Sequence, residues 1–535
     1  MPSTRFFSPA RLRLRLVALA GITVSSIVLG VTPGHADSAT GSVGGPAFTI
    51  YNPPAGSPGE HTAAEPSIGV DWKTGAAMYQ ADLTTYRVNF DDASPAAATW
   101  TDVSSPLTSQ TTLDPILFTD SATGRTFVSQ LAGECSLTEF SDDDGANWTP
   151  SEGCGPPSGV DHQTIGSGPF APPVPEPPAP AYPHAVYYCS QGVAAAFCAA
   201  SVDGGLTFQE GVPIYTDTQC GGLHGHVKVA PNGTTVVPNQ NCGPSPDPSN
   251  VLGQFPNQGA VVSTTEGQTW SVNVVPDSHS TLRSDPSVAF DKNNTMYFGY
   301  EDAVESPSGE QVGGHPLVAS LPTGSSTWSP SVDVGAPLGI QNVTFPEMAA
   351  GDAGHAAYAF LGSTTAGDTE NQTFKGYWYL YVATTDDGWN TFSVQNLTPN
   401  DPVERGCIYL SGSGDCPETN KRNLLDFMDM TSDAHGRVLI GYADGCTGTC
   451  VTQQTEPCSD EACNSGPTAS TDRYTSIARE ECGSLIAGDP FACDASPIPT
   501  TPEAPFVPAL VVVSALGIGG AYWVNSRRRR MAVSS

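Results

Sequence analysis

Short apolar runs, each preceded by a polar residue and followed by a turn, recur through the middle of this chain. Seven segments share the pattern: EPSIGVDWKTG (65–75), DPILFTDSATG (114–124), DHQTIGSG (161–168), LHGHVKVAPNG (223–233), SDPSVAFDKNN (284–294), FPEMAAGDAG (345–354) and DFMDMTSDAHG (426–436). Most are followed by a second run of β-branched and aromatic residues, such as RTFVSQ or RVLIGYAD. Runs of this kind between Gly, Asn and Asp are typical of strands. The pattern therefore predicts seven β-units between Glu65 and Asp444.

A turn motif recurs in step with these units, at intervals of about 60 residues. Its copies are SDDDGANW (141–148), SVDGGLTF (201–208), STTEGQTW (263–270) and the looser SLPTGSSTW (320–328) and TTDDGWNTF (384–392). Asp or Ser followed by Gly suits a tight hairpin turn, because Asp bonds nearby backbone N–H groups and Gly accepts a positive φ. The closing aromatic residue can fold back beneath the turn, so each hairpin supports itself.

Repeated units of this length predict one all-β domain, a radial propeller with seven blades or, as the alternative, six. A β-solenoid fits less well because its repeats are usually much shorter. The Pro-rich stretch 168–184 and the Cys-containing stretch 393–425 interrupt the pattern and are predicted to be insertions. Between the chain ends, helical periodicity is limited to a modest signal in YTSIAREECGSLI (474–486).

The two ends of the chain have the composition of targeting segments. Residues 1–36 combine four Arg, an apolar stretch and a small-residue cleavage site, which predicts a secretory signal peptide. Residues 507–524 form an apolar run followed by four consecutive Arg, which predicts a transmembrane helix and a cytoplasmic basic tail at 525–535. Between them we expect a flexible lead at 37–50, the propeller at 51–456, and a Cys-containing segment with a Pro-rich stalk at 457–506. The protein is thus expected to be secreted and anchored at the extracellular face of a bacterial cell.

The net charge between these ends is strongly negative. The predicted leader and tail hold eight Arg and no acidic residue, so the remainder has 54 acidic residues against 13 basic ones, a formal charge of −41. Nucleic acid is therefore excluded as an expected partner, because phosphate binding needs cationic patches. A solvated, soluble surface or the binding of cations accounts for the excess of acid.

The chain contains 14 Cys, all between the two targeting segments, which predicts disulfides formed in an oxidising compartment. Sequence neighbours give the predicted pairs: Cys135–Cys154, Cys189–Cys198, Cys220–Cys242, Cys407–Cys416 and Cys482–Cys493. Four further residues crowd one segment, where the pairing stays open and a metal site is the rival interpretation: Cys446, Cys450, Cys458 and Cys463.

The turn motif resembles the Asp boxes, or BNR repeats, of the sialidase superfamily, and the resemblance covers nearly the whole segment between the chain ends. It implies a sialidase-like propeller whose Asp-box turns lie away from the active centre. Sialidase chemistry would further imply three Arg that hold a substrate carboxylate, a Tyr nucleophile assisted by a Glu, and an Asp acid/base. The family's first-blade motif F/Y-R-I-P has no match here, because the equivalent region reads HTAAEPSIG at 61–69.

Two groups of residues are candidates for ligand contact. Arg283, Arg405 and Arg422 lie just before inner-strand runs and are candidates for binding an anion, with surface or structural ion pairs as the alternative. The polar starts of the seven units are predicted to form a ring around the central channel: Glu65, Asp114, Asp161, His162, His224, His226, Asp285, Glu347, Asp426 and Asp429.

This ring has three interpretations. Crowded carboxylates raise one another's pKa, which favours acid/base catalysis by Asp114, Asp285 and Glu347, with substrate contacts from Glu65, Asp426 and Asp429. Alternatively, His162 with His224 or His226 could ligate a transition metal. In the third interpretation these residues only hold neighbouring blades together by hydrogen bonds.

Two function classes follow: a surface glycoside hydrolase of sialidase type, or a non-catalytic propeller that binds a glycan or a protein. The missing first-blade Arg motif and the acidic composition disfavour sialic acid as the ligand. The expected partner is an extracellular glycan or protein, the protein is expected to be a monomer, and a divalent cation is the one candidate cofactor.

Overall fold

We describe the fold from a computed structural model of the chain. It describes the following residues: 39–91, 93–133, 135–151, 161–171, 182–192, 195–244, 255–307, 311–410, 415–416, 421–452 and 471–493. The predicted signal peptide, transmembrane segment and basic tail lie outside these ranges, as do Cys154, Cys458 and Cys463. Within the described ranges, no helix has the length and apolar character that crossing a membrane requires.

Seven sheets, each with a core of four consecutive antiparallel strands, form the blades of a propeller. This confirms the predicted all-β architecture and the count of seven blades. Two N-terminal strands come first, β1 (Thr40–Val43) and β2 (Phe48–Tyr51). Blades one to three are β3 (Ser67–Val70), β4 (Ala77–Ala81), β5 (Thr84–Phe90) and β6 (Ala98–Asp102); β7 (Pro115–Thr119), β8 (Thr126–Ala132), β9 (Cys135–Ser141) and β10 (Thr149–Pro150); and β11 (Asp161–Gly168), β12 (Ala185–Gln191), β13 (Ala196–Ser201) and β14 (Val212–Pro213).

The remaining four blades continue in chain order. They are β15 (Lys228–Val229), β16 (Thr235–Cys242), β17 (Asn257–Ser263) and β18 (Ser271–Val274); β19 (Ser287–Phe290), β20 (Met296–Glu305), β21 (Gln311–Leu321) and β22 (Val332–Asp333); β23 (Asn342–Ala350), β24 (Ala356–Ser363), β25 (Tyr377–Thr385) and β26 (Thr391–Asn396), with the short β27 (Glu404–Arg405) beside β25; and β28 (Asp429–Ser432), β29 (Val438–Asp444) and β30 (Tyr474–Glu480). The helices of the described ranges are a 3₁₀ turn (Ala336–Leu338) and the single turn α1 (Thr449–Thr452).

The ring is closed by a strand from the other end of the chain. β2 pairs antiparallel with β30, so that blade seven has the order β2-β30-β29-β28. β1 adds in parallel to the outer edge of blade six. The lead expected at 37–50 therefore contains two strands, and 474–480, where the sequence has modest helical periodicity, is a central strand. β30 is buried along nearly its whole length, and burial on both faces hides the alternation by which a strand is recognised.

Apolar side chains pack mainly between neighbouring blades. Phe127 of blade two and Val186 of blade three belong to one buried cluster, and Val236 of blade four packs in another with Phe298 of blade five. Each sheet buries its face against the next one, which is how a layered β-structure forms a core. This packing fixes the first strand of each blade beside the central axis.

The predicted turn motif makes the same hydrogen bonds in four hairpins. In the first, Ser141 Oγ accepts the Gly145 N–H at 2.9 Å, and Asp143 Oδ1 accepts the Asn147 N–H at 2.8 Å. Equivalent pairs of bonds occur in the turns at 201–208, 263–270 and 384–392. These turns join the third strand of a blade to the fourth. Because antiparallel strands alternate in direction, the turns lie at the opposite end of the blade from the start of its first strand.

Five disulfides join Cys residues of the described ranges. Four confirm predicted pairs: Cys189–Cys198, Cys220–Cys242, Cys407–Cys416 and Cys482–Cys493. The fifth joins Cys446 to Cys450, whose pairing the sequence leaves open. Cys135 lies in β9, and its predicted partner lies outside the described residues.

Candidate functional site

Polar residues at the starts of the first strands converge from several blades. Nδ1 of His162, in blade three, lies 2.8 Å from Oδ2 of Asp285 at blade five. Its Nε2 lies 3.8 Å from Oδ2 of Asp426, just before blade seven. Since one imidazole approaches carboxylates from two other blades, these side chains share the central channel.

A kink in the backbone accompanies several of these strand starts. Glu65, His162, Phe345 and Leu425 all have positive φ angles, between 45° and 57°. L-residues adopt this conformation only at a cost in free energy, so its recurrence at equivalent places is imposed by the fold. In blades three and six the strand register shifts at the same point. Such bulges redirect side chains, and here they turn the strand starts toward the channel.

One group of five residues forms what we call the Glu65 cluster: Glu65, Asp114, His162, Asp285 and Asp426. Arg422 binds both carboxylate oxygens of Asp426, and the Nη2–Oδ2 distance is 2.6 Å. The Arg422 side chain is 29 % exposed, against 15 % for Asp426 and 5 % for His162. Arg422 therefore lies on the solvent side of a group that is otherwise almost buried.

The carboxyl groups of the Glu65 cluster have pKa values shifted in opposite directions. Burial, with the nearby charges of Asp114 and Asp426, raises the pKa of Glu65 well above its usual range. Burial also raises the pKa of Asp114 to about 6, although His162 opposes this shift. For Asp426, burial is outweighed by hydrogen bonds with His162 and Arg422, which hold its pKa below the ordinary value. The cluster therefore places a protonated carboxyl beside an ionised one.

His162 is the cationic partner inside this cluster. Burial opposes protonation of its imidazole, but Asp285, Asp426 and Asp114 together raise the pKa of His162 well above the ordinary histidine value. The Nδ1–Asp285 Oδ2 distance of 2.8 Å is that of a charge-assisted hydrogen bond. A histidine that stays protonated in this position acts as a fixed positive charge.

A second group, which we call the His226 cluster, consists of His226, Glu347 and Asp429. His226 Nδ1 lies 3.9 Å from Glu347 Oε1 and 3.7 Å from Asp429 Oδ1, and all three side chains are about nine-tenths buried. The ammonium of Lys228 approaches the same Asp429 oxygen at 3.8 Å. Phe427 packs edge-on against the imidazole, with ring centroids 4.6 Å apart. These three residues come from blades four, six and seven.

Some strand-start residues also connect one blade to the next. Asp429 Oδ2 accepts the Ile68 N–H of blade one at 3.0 Å, and Asp114 Oδ2 accepts the Gln163 N–H of blade three at 3.1 Å. Hydroxyls do the same in other blades, since Thr164 accepts the Val227 N–H at 3.0 Å. Asp114 and Asp429 therefore hold neighbouring blades together, whatever other role they have.

The three candidate arginines have different surroundings. Arg283 contacts Asp368 at 2.8 Å and also bonds Thr369. Arg405 is buried, donates to the carbonyl oxygen of Cys450 at 3.0 Å and lies over the ring of Tyr377. Of the three, Arg422 is the one bound to a carboxylate of the Glu65 cluster. The structure thus gives the three side chains no common partner.

The three candidate metal-binding histidines also separate. His162 belongs to the Glu65 cluster and His226 to the His226 cluster. His224 bonds the carbonyl oxygen of Gly225 through Nδ1 at 3.0 Å, and burial lowers its pKa to about 4. The rings of His162 and His224 are 6.3 Å apart in an edge-to-face arrangement. The one group of the described residues whose ligand atoms are close enough for a metal is His226 with two carboxylates.

Lys228 is a channel residue that sequence reasoning did not select. Its signal was present, because His226 and Lys228 are two positions apart and side chains at i and i+2 share a face of a strand. Ser287, two residues after Asp285, fits the same rule and donates to Glu347 Oε2 at 2.9 Å. Extending each polar strand start by two residues would have included both.

Comparisons with known proteins give fold likenesses only. No protein-family model matches the chain, and no curated protein matches its sequence. An ulvan lyase of polysaccharide lyase family PL25 has 10 % identity over 72 % of this chain and 92 % of its own, with a TM-score of 0.39. A Hadza microbial sialidase has 14 % identity, 80 % and 67 % coverage and a TM-score of 0.36. A GH74 enzyme from Niastella koreensis has 16 % identity, 74 % and 53 % coverage and a TM-score of 0.41. At these scores the likenesses carry no argument about function.

Proposed function

We propose that this protein is a glycoside hydrolase that acts on an extracellular glycan at the Glu65 cluster. The observation that carries the proposal is the opposed pKa shift of Glu65 and Asp426, two interacting carboxyl groups in a buried site. Paired carboxyls whose surroundings push their pKa values apart supply an acid and a base at the same pH. Glycoside hydrolysis is a reaction that uses such a pair.

In the proposed mechanism Glu65 is the proton donor and Asp426 the ionised partner. Glu65 would pass its proton to the oxygen of the leaving sugar while Asp426 takes a proton from the attacking water, so that charge and atoms balance. His162 and Arg422 keep Asp426 ionised. Glu65 and Asp426 interact directly in this structure, so a substrate oxygen or a water must enter between them first.

A glycan without acidic groups is the proposed substrate class. The net charge of −33 for the whole chain repels large anions. The only basic groups at the Glu65 cluster are His162 and Arg422 among the described residues, and both are already bound to carboxylates. Carboxylates and a guanidinium are suited to the hydroxyl groups of a neutral sugar. The shared hydrogen bonds of the four hairpins support the resemblance to Asp-box propellers.

The test is a screen of fluorogenic neutral glycosides, followed by variants of the pair. Glu65→Gln and Asp426→Asn should each lower kcat by about 10²- to 10⁴-fold. Asp386→Asn is the control, because Asp386 is an exposed acid in a turn at the opposite end of blade six. Turnover that is the same in wild type and both variants would contradict the proposal.

A non-catalytic glycan-binding propeller is the second candidate. The observation in its favour is that most charges of the Glu65 cluster already have partners, such as Asp285 with His162 and Asp426 with Arg422. A glycan array then gives binding in wild type with no turnover in the glycoside screen. In that case Glu65→Gln should leave binding unchanged.

We also propose that the protein is exported, monomeric and held to the membrane by the segment at 507–524. The five disulfides of the described ranges support an oxidising compartment. Protease treatment of intact cells, with detection of the released propeller, tests the location.

A further inference from the structure

The His226 cluster has three ligand atoms that face one another without direct hydrogen bonds. The Nδ1 atom of His226, one oxygen of Glu347 and one oxygen of Asp429 all lie within 4.8 Å of one another. The two nitrogen–oxygen distances, 3.7 and 3.9 Å, are longer than hydrogen bonds. Buried polar groups normally make such bonds, so this arrangement lacks a bridging group.

The spacing of these atoms suits ligands of one metal ion. Bonds from zinc to nitrogen or oxygen are about 2.0–2.2 Å long, so two ligands on one tetrahedral ion lie about 3.4 Å apart. The observed 3.7 and 3.9 Å require a contraction of a few tenths of an ångström. One imidazole with two carboxylates is a ligand set that suits Zn²⁺ or Mn²⁺ rather than Ca²⁺.

Neighbouring groups hold the carboxylates in this orientation. Ser287 donates to Glu347 Oε2 at 2.9 Å, which leaves Oε1 directed toward His226. Asp429 Oδ2 accepts the Ile68 N–H at 3.0 Å, and Oδ1 accepts the Met430 N–H at 2.8 Å. Hydrogen bonds of this kind fix the ligands of metal sites in proteins.

His226 itself is an independent sign of a missing partner. The residue is 8 % exposed, and its Nε2 is buried without a hydrogen-bond partner among the described residues. Phe427 packs against the ring and holds it in place. An uncompensated buried imidazole costs free energy, and a metal ion bound by the ring would offset that cost.

Lys228 is the one ammonium at this cluster in the described ranges, at 3.8 Å from Asp429 Oδ1. Its side chain is 23 % exposed, so it reaches the carboxylate from the solvent side. Two carboxylates with one ammonium still leave one negative charge. Lys228 therefore competes with a metal ion for Asp429 without neutralising the cluster.

We propose that His226, Glu347 and Asp429 bind one divalent transition-metal ion that connects blades four, six and seven. This inference is independent of the proposed hydrolase activity. The ion is a structural cross-link, because its three ligands come from strands far apart in the sequence. Its expected effect is on stability and metal content.

The experiment measures zinc bound by the purified protein. The protein is stripped with chelator, incubated with Zn²⁺, dialysed and analysed by mass spectrometry for metal content. We expect about one equivalent in wild type, less than about 0.2 in Asp429→Asn and Glu347→Gln, and a lower melting temperature after chelation. Asp161→Asn is the control in the same channel and should keep the metal.

Lys228→Met makes the outcome decisive if the ligand variants fold poorly. Removing the ammonium removes a competitor, so this variant should bind Zn²⁺ several-fold more tightly than wild type in a calorimetric titration. Wild type and Lys228→Met that both retain no zinc would overturn the proposal. Equal zinc retention by folded Asp429→Asn and wild type would overturn it as well.

Discussion

At the level of single residues, Glu65 joins a left-handed backbone, with φ at 51°, to a carboxyl that is 3 % exposed. Burial of a charged carboxyl is costly, and the acids Asp114 and Asp426 add repulsion. His162 and Arg422 are the positive groups that face it. A proton on Glu65 removes both the burial cost and the repulsion, so the folded protein holds that proton more tightly than the unfolded chain does.

We predict that Glu65→Gln makes the stability of the protein less dependent on pH. The pKa of Glu65 is raised in the folded state above the unfolded value of about 4.3, so the unfolded chain loses this proton first and stability falls as pH rises above that value. Gln resembles the protonated acid and does not titrate. The melting temperature of wild type should therefore fall relative to the variant's between about pH 5 and pH 8. Melting curves followed by circular dichroism check this, and parallel pH profiles would contradict it.

A second prediction concerns His162, which holds two carboxylates across the channel. His162→Gln removes the 2.8 Å partner of Asp285, whose side chain is 10 % exposed. Leaving a nearly buried charge unpaired should lower the free energy of unfolding by about 3 kcal/mol. The double variant His162→Gln/Asp285→Asn should recover much of that loss, because the unpaired charge is gone. Urea unfolding of the four proteins measures the coupling, and simple additivity would count against the pairing.

Residue positions in the channel follow from the sequence, but their partners do not. The equal phase of Glu65, Asp114 and Asp285 in their units placed them at equivalent strand starts. Which side chains meet across the channel depends on the local kinks and on the direction of each side chain. The sequence does not encode these in a short pattern, so the separation of His162 from His226 required coordinates.

At the level of elements, the four similar hairpins are stabilised by their own side chains. In the turn at 384–392, Asp387 accepts the Thr391 N–H and its hydroxyl, each at 2.8 Å. We predict that Asp387→Ala lowers the free energy of unfolding by about 1 kcal/mol, because these bonds are lost. Asp386→Ala, at the exposed neighbouring residue, should change it by less than about 0.5 kcal/mol. Chemical denaturation compares the two, and equal effects would show that the Asp387 bonds are not stabilising.

The strand β30 shows where pattern reasoning reaches its limit at this scale. The YTSIARE segment (474–480) mixes apolar, polar and charged residues without clear alternation. In the structure β30 lies between β29 and β2, and most of its residues are buried. Turns could be predicted because their hydrogen bonds are local. β30 could not, because its conformation depends on partners that are far away in the chain.

At the level of the whole molecule, the propeller is a ring closed without a covalent bond. The pairing of β2 with β30 joins residues 48–51 to 477–480. Asn52 extends the junction, since its side-chain amide donates to Thr475 O at 2.9 Å and to Ser476 Oγ at 2.8 Å. Blade seven would otherwise have an open edge facing solvent. Stability of the ring therefore depends on a four-residue strand near the N-terminus.

Two truncations test this closure, one that starts at residue 45 and one that starts at residue 53. The first removes β1, which is mostly exposed, and should change the free energy of unfolding by less than about 1 kcal/mol. The second also removes β2 and uncovers β30, which should cost roughly 3 kcal/mol through the lost burial of Ile50 and Tyr51. An uncovered strand edge also invites pairing between molecules, so light scattering should detect self-association of the second variant only. If both truncated proteins were monomeric and equally stable, β2 could not be the element that closes the ring.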